Sequence, residues 1–126
     1  MNYEIYAKAS VNPTEDMDKV IKAIANVIEY DEIEIGDDYV CAYGWMETIK
    51  KLGDELRERK IKGAARKIML KGILASKIHF KLSKQAAFAG TLNLVDDSLC
   101  PLGEIDVEIR TDDVQKVIDW IAPFIE

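Results

Sequence analysis

Residues 3–11 alternate, with Tyr3, Ile5, Ala7, Ala9 and Val11 on one side and Glu4, Lys8 and Ser10 on the other, the period of a half-buried strand. Asn12-Pro13-Thr14-Glu15 then offers an N-cap, a proline at the first helical position and a carboxylate at N3. Met17, Val20, Ile21, Ile24, Val27 and Ile28 continue at helical spacing, which predicts an amphipathic helix. Ile33 and Ile35 alternate with Glu32 and Glu34 before Gly36-Asp37-Asp38, and Tyr39, Cys41 and Tyr43 resume the alternation as far as Gly44, the pattern of a short hairpin. From Met46 to Ser76 the period becomes helical. One helix of that length is unusual in a small domain, so two helices with a break near Arg59 to Gly63 are expected. Ile78, Phe80 and Leu82 alternate with Lys77, His79 and Lys81; Leu92 and Leu94 mark a further strand, and Ile105, Val107 and Ile109 another. Thr111 or Asp112 caps a last helix bearing Val114, Val117, Ile118 and Ile121, ended by Pro123. The order β-α-β-β-α-α-β-β-β-α predicts one α+β domain over residues 1–126, a mainly antiparallel sheet with helices packed on one face.

Composition adds limits to this picture. With 126 residues, 48% of them apolar, the chain can bury a core, and its charged residues interrupt every apolar run before the ~18 residues a membrane span needs. The N-terminus enters a strand pattern at once rather than a signal peptide, so a cytoplasmic location is expected. Cys41 and Cys100 are far apart and outside metal-binding spacing; both are read as reduced, and no cofactor or metal is expected. The net charge of −6 conceals segregation: residues 1–56 hold 5 basic and 13 acidic side chains, residues 57–84 hold 10 and 1, and residues 85–126 hold 2 and 9. A basic centre separates two acidic ends, and only that centre suits a polyanion.

On a helical wheel for Lys60 to Ala75, Ile61, Ala64, Ala65, Ile68, Gly72 and Ala75 share one arc, while Arg59, Lys62, Arg66, Lys67 and Lys71 occupy the other half. That half is either a plain solvated face or a contact surface for RNA. Leu70, Ile73 and Leu74 place bulky apolar groups on its last turns, as burial under another element or a second subunit would require. The pairs Glu15-Asp16 and Asp112-Asp113 sit at helix starts and Asp37-Asp38 and Asp96-Asp97 in turns, where local backbone roles outweigh metal binding or acid–base chemistry. His79, the only histidine, reads as a surface residue between Lys77 and Lys81. No phosphate-binding glycine loop or nucleophile elbow is present, and no aromatic strand of the RRM kind, so a non-catalytic protein is expected. Ser83 to Gly90 sets Lys84 and Gln85 beside small residues between two strands, a composition suited to a partner contact.

Leu82-Ser83-Lys84-Gln85-Ala86-Ala87-Phe88-Ala89-Gly90 and Cys100-Pro101-Leu102-Gly103-Glu104-Ile105 resemble the signature of an archaeal-specific uncharacterised protein family (UPF 0201), and Leu56 to Ile73 fits its central basic region. Ser83 and Cys100 stand where the family pattern has Asn and often Ser. The resemblance covers nearly the whole chain; it implies a fold similar to the large-subunit ribosomal protein that binds 5S rRNA, and a dimer. No RNA-contacting motif of that ribosomal protein maps onto this chain. The expectation is therefore a binding protein that contacts RNA or a ribonucleoprotein through Arg59, Lys62, Arg66, Lys67, Lys71, Lys84 and Gln85, with Leu70, Ile73 and Leu74 at a homodimer or packing interface. The alternative is a dimeric protein-interaction module that binds no nucleic acid, and the two differ in the salt dependence of binding.

Overall fold

A computed structural model describes residues 3–58, 60–95 and 103–123, with the side chain of Lys62 outside the description. Strand β1 (Tyr3–Ser10) is central, pairing antiparallel with β3 (Tyr39–Gly44) on one side and β7 (Glu104–Thr111) on the other. Beyond β3 lies β2 (Glu32–Ile35), joined to it as the expected hairpin; beyond β7 lies β5 (Lys77–Ser83), whose outer edge carries β4 (Ile73–Leu74) and β6 (Leu94–Val95) at different points. Every pairing is antiparallel.

Period-two alternation sorts the two faces. Ile5, Ala7, Ala9, Val40, Ala42, Ile78, Phe80, Leu82, Ile105, Val107 and Ile109 are buried on one face. Against it pack α1 (Met17–Val27), α2 (Met46–Glu58), α3 (Lys62–Lys71) and α5 (Val114–Ile121), through residues such as Ile24, Leu52, Met69 and Ile118. A five-residue helix, α4 (Lys84–Phe88), closes one end beside α1, where Asn26 Nδ2 donates to Ala87 O at 3.0 Å. The other face of the sheet is open and polar, as the helices-on-one-face architecture requires.

Local structure departs from expectation at four places. Asn12 to Glu15 is a turn, not a helix start: Glu15 N donates to Asn12 O and Asn12 N to Glu15 Oε1, both at 2.9 Å, and α1 begins at Met17 behind Asp16, whose side chain accepts from Asp18 N. Glu15 is held outside α1 because its carboxylate is committed to Lys84. Helix α3 ends at Lys71 instead of running to Ser76. Gly72 N–H bonds back to Ile68 O and Met69 O, and Ile73–Leu74 turns through Ala75 (φ 55) into β5. Of the apolar residues that disturbed the wheel, Ile73 and Leu74 belong to strand β4, while Leu70 stays in the last turn of α3. Ser83 to Gly90 contains α4, capped by Ser83 Oγ accepting from Ala86 N at 3.1 Å. The cap of α5 is Asp113, accepting from Lys116 N at 3.0 Å, while Thr111 Oγ1 accepts from Asp113 N. Asp96-Asp97 and Cys100 lie outside the described residues.

Candidate nucleic-acid interface

Helix α3 buries Ala65 and Met69 on its inner side and exposes Lys67 and Lys71 on its outer side. Arg66, placed by the wheel on the basic face, turns to α5: its Nη1 lies 2.7 Å from Asp119 Oδ1 and donates to Ala122 O at 3.1 Å, leaving the side chain 15% exposed. From α2, Arg57 Nη2 donates to Trp120 O at 3.1 Å and its Nη1 pairs with Asp54. Two arginines of the basic stretch thus satisfy carbonyls at the C-terminal end of α5, where the helix leaves them unpaired and cations are favoured.

The Arg66 hydrogen bond, with a second from Gln115, holds the Asp119 carboxyl below the ordinary aspartate value. A depressed folded-state value contributes stability that is complete above the unfolded value, ~3.9, and is lost as the pH falls through the lower folded one. Asp119→Asn is therefore expected to flatten the acid limb of thermal stability below about pH 4; an unchanged limb would show that Arg66 holds α5 without Asp119.

Lys84, expected at a contact surface, is instead wholly buried at 0% exposure. Its Nζ donates to Ser10 O at 2.7 Å and to Glu15 Oε1 at 3.1 Å. The reason is its place at the first residue of α4, which folds back over the end of β1 and the turn at 12–15 and aims the side chain inward. It cannot touch a partner. Gln85, the next residue, is exposed. Of the remaining expected contacts, Lys67 and Lys71 are exposed, while Arg59 and the side chain of Lys62 lie outside the described residues. Leu70 is 39% and Leu74 75% exposed; Ile73 is partly buried against the core.

The structure adds residues from β5. Because β4 pairs with β5 only at Lys77 and Ile78, and β6 only at Lys81 and Leu82, the edge at His79 and Phe80 lies between them. A cavity of about 180 Å³ opens there, lined by Lys71, His79 and Lys81 with Ile68, Phe80 and Val95 among its walls. His79 Nε2 stands 3.6 Å from Asp106 Oδ1 and Lys81 Nζ 3.5 Å from Glu104 Oε1, loose and partly exposed pairs of the kind that contribute little. The Lys-x-His-x-Lys alternation carried this information; what the sequence lacked was the packing of α3 against the edge of β5.

The far side of the open face is aromatic and acidic. Tyr6 and Tyr43 are cross-strand partners with ring centroids 5.1 Å apart at 86°, Arg110 Cζ lies 4.7 Å from the Tyr6 centroid, and Lys8 Nζ lies 4.7 Å from that of Tyr39. Tyr6 OH donates to Glu4 Oε2 at 2.7 Å and Tyr39 OH to Glu34 Oε2 at 2.9 Å, bonds that raise both phenols above their usual value. A hydrogen bond with Cys41, followed by burial, pushes Tyr43 up to about 12. All three phenols are neutral near pH 7. Among the described residues no group of three or more His, Cys, Asp or Glu could hold a metal, and no helix is long and apolar enough to cross a membrane.

A family model described as RNA binding matches residues 4–111, from β1 through β7. The UPF0201 protein of Methanothermobacter thermautotrophicus is 38% identical, over 95% of this chain and 91% of its own. This chain belongs to the UPF0201 family. A second member, from Sulfolobus acidocaldarius, is 39% identical over 94% of this chain and 86% of its own. The crystal structure of the UPF0201 protein from Methanococcus jannaschii superposes with a TM-score of 0.77 at 36% identity, covering 98% of this chain and 95% of that one. The archaeal relatives and the α+β fold agree with the resemblance found in the sequence.

Proposed function

We propose that this UPF0201 member is a non-catalytic protein that contacts RNA through the edge where α3 meets β5. The observation that carries the reading is the convergence of Lys71, His79 and Lys81 on one cavity, with Lys67 one turn earlier on α3. Lys71 and Lys81, separated in sequence, form one surface there with His79, and the RNA-binding description of the family model supports the same reading. Likeness of the fold to the 5S-rRNA-binding ribosomal protein belongs to this proposal too. Arg66 and Lys84 have no part in it, since one fastens α5 and the other is buried.

The test is binding to labelled total and 5S-type RNA by the parent and a Lys67→Glu/Lys71→Glu variant. A surface that neutralises about four phosphates should lose roughly 100-fold in affinity between ~50 and ~200 mM salt, and the variant should bind at least ~10-fold more weakly at the lower salt. Arg66 is left intact so that loss of binding is not loss of α5. No binding at the lower salt would overturn the reading in favour of a second one, a homodimeric interaction module. Its support is the exposure of Leu74 and Leu70 on this same edge, apolar area that a second copy would cover.

A further inference from the structure

The acidic half of the open face holds a second cavity, built from none of the basic-edge residues. Alternation brings Glu4 and Tyr6 of β1 and Tyr43 of β3 to this face, and Trp45, two residues past Tyr43, lines the same cavity as the chain enters α2. Glu32 of β2 stands opposite Tyr43, which stands opposite Tyr6, so one row across three strands reads carboxylate, ring, ring. With Gly44, these residues enclose about 130 Å³. The Tyr6 and Tyr43 rings meet nearly at right angles, and Trp45, 43% exposed, supplies a third aromatic wall.

We propose that this cavity binds an organic ammonium head, the class of quaternary and methylated amines. Tyr6, Tyr43 and Trp45 line the cavity with aromatic surface of the kind that attracts cations, and Glu4 and Glu32 supply full negative charge at the same place; no cation is among the lining residues, Arg110 lying outside them over the Tyr6 ring. The volume is well below the ~300 Å³ at which drug-sized ligand sites begin, and it suits one head group. A nucleotide is disfavoured on size and because the carboxylates repel its phosphates. A metal ion is disfavoured because Glu4 Oε2 already accepts from Tyr6 OH and Glu32 is the one other carboxylate on a lining whose remaining side chains are aromatic, too few oxygen ligands for a hard cation. The same face already shows the chemistry at work, with Arg110 over Tyr6 and Lys8 over Tyr39. The phenols, neutral near pH 7, add hydrogen-bonding edges without changing the charge balance.

The experiment is an NMR titration of the aromatic side chains of the full chain with choline, beside its uncharged tert-butyl isostere. Saturable shifts at Tyr6, Tyr43 and Trp45, with Trp120 unmoved, and a Kd on the order of 1 mM are expected. The isostere, and choline on Trp45→Ala or Glu32→Gln, should each bind at least ~5-fold more weakly. Both substitutions fall on exposed side chains, and the Trp45 carbonyl that accepts from Ile49 N is kept. Any one of three results would overturn the proposal: no saturation by ~50 mM choline, equal binding of the isostere, or unchanged binding by the Trp45→Ala variant.

Discussion

Lys84→Ala is expected to lower the unfolding free energy by about 3–5 kcal/mol, a large share of the ~5–15 kcal/mol that holds an ordinary domain together. The Nζ of Lys84 lies between Ser10 O and Glu15 Oε1, and the Glu15 side chain is itself only 10% exposed. Glu15 Oε2 is buried without a hydrogen-bond partner, so the carboxylate already depends on few groups. Removing the ammonium leaves that charge in a poorly solvating site, and the penalty comes from the unpaired partner more than from the lost bond. The turn at 12–15, the end of β1 and α4 should loosen together, since Lys84 is the side chain that joins all three. A Lys84→Met/Glu15→Leu double variant removes both charges and should recover most of the loss, as apolar replacement of buried pairs often does. Urea unfolding of the single and double variants reads this directly. A single-variant loss under ~1 kcal/mol would mean that solvent reaches Glu15 and the pair is in effect a surface one.

The same lysine shows where sequence reading stops. In the sequence it stands beside Gln85 among small residues and looks like a surface group, because its partner lies 69 residues away. Lys84 and the fully buried Ala87 show that the most distinctive part of the family resemblance serves packing of α4, while Gln85 alone of the pair remains outside. By contrast β1, the β2–β3 hairpin, β5 and β7 were legible because a sheet covered on one face prints its period directly on the chain. The break between α2 and α3 was legible too. Strand β4 was not: Ile73 and Leu74 stood out on the wheel as apolar groups on its basic half, which burial of a helix explains as well as a strand does, and the hydrogen bonds of Gly72 reassign them. Arg66 was misplaced because a wheel shows which side of a helix a residue takes, not that α5 lies against that side. The Tyr6, Tyr43 and Trp45 cluster was invisible for a related reason. Tyr43-Gly44-Trp45 and Glu4-Ile5-Tyr6 each put two groups on one face, but only strand register sets them side by side.

That register also converts the segregated charge of the chain into geometry. The acidic first third supplies β1, β2 and β3, the basic centre supplies α3 and β5, and these lie at opposite sides of one sheet with β7 between. Carboxylates of β7 face the polar side chains of β5, with Asp106 beside His79 and Glu104 beside Lys81. On the other side of this edge α3 presents Lys67 and Lys71 as exposed side chains. For this reason the variant that tests RNA contact changes Lys67 and Lys71 rather than residues of β5.

Gly72→Ala is expected to destabilise the protein by about 3 kcal/mol, whereas Gly63→Ala, the same chemical change nine residues earlier, should be neutral or stabilising by up to ~1 kcal/mol. Backbone conformation does not separate the two, since Gly72 has φ −91 and ψ 7, accessible to any residue. Space does. A Cβ on Gly72 would stand 1.8 Å from His79 O and 2.9 Å from His79 C, backbone atoms of a strand paired with β7, whereas one on Gly63 meets nothing within 4 Å. Gly72 O also accepts from His79 N at 2.9 Å, so the end of α3 and β5 are held at a separation that admits only hydrogen. To fit a methyl group, the helix end must withdraw from the strand, and that movement breaks this bond and opens the cavity between Lys71, His79 and Lys81. Gly63 sits in the first turn of α3 on an exposed site, where alanine lowers the entropy lost on folding and improves helix propensity. Thermal unfolding of the two variants should therefore move in opposite directions, or at least differ by several degrees. Equal shifts would mean that α3 and β5 are not in backbone contact in solution. The basic edge would then lose the packing that assembles it, and RNA binding by the Gly72→Ala variant should weaken in parallel with its stability if the edge is the contact surface.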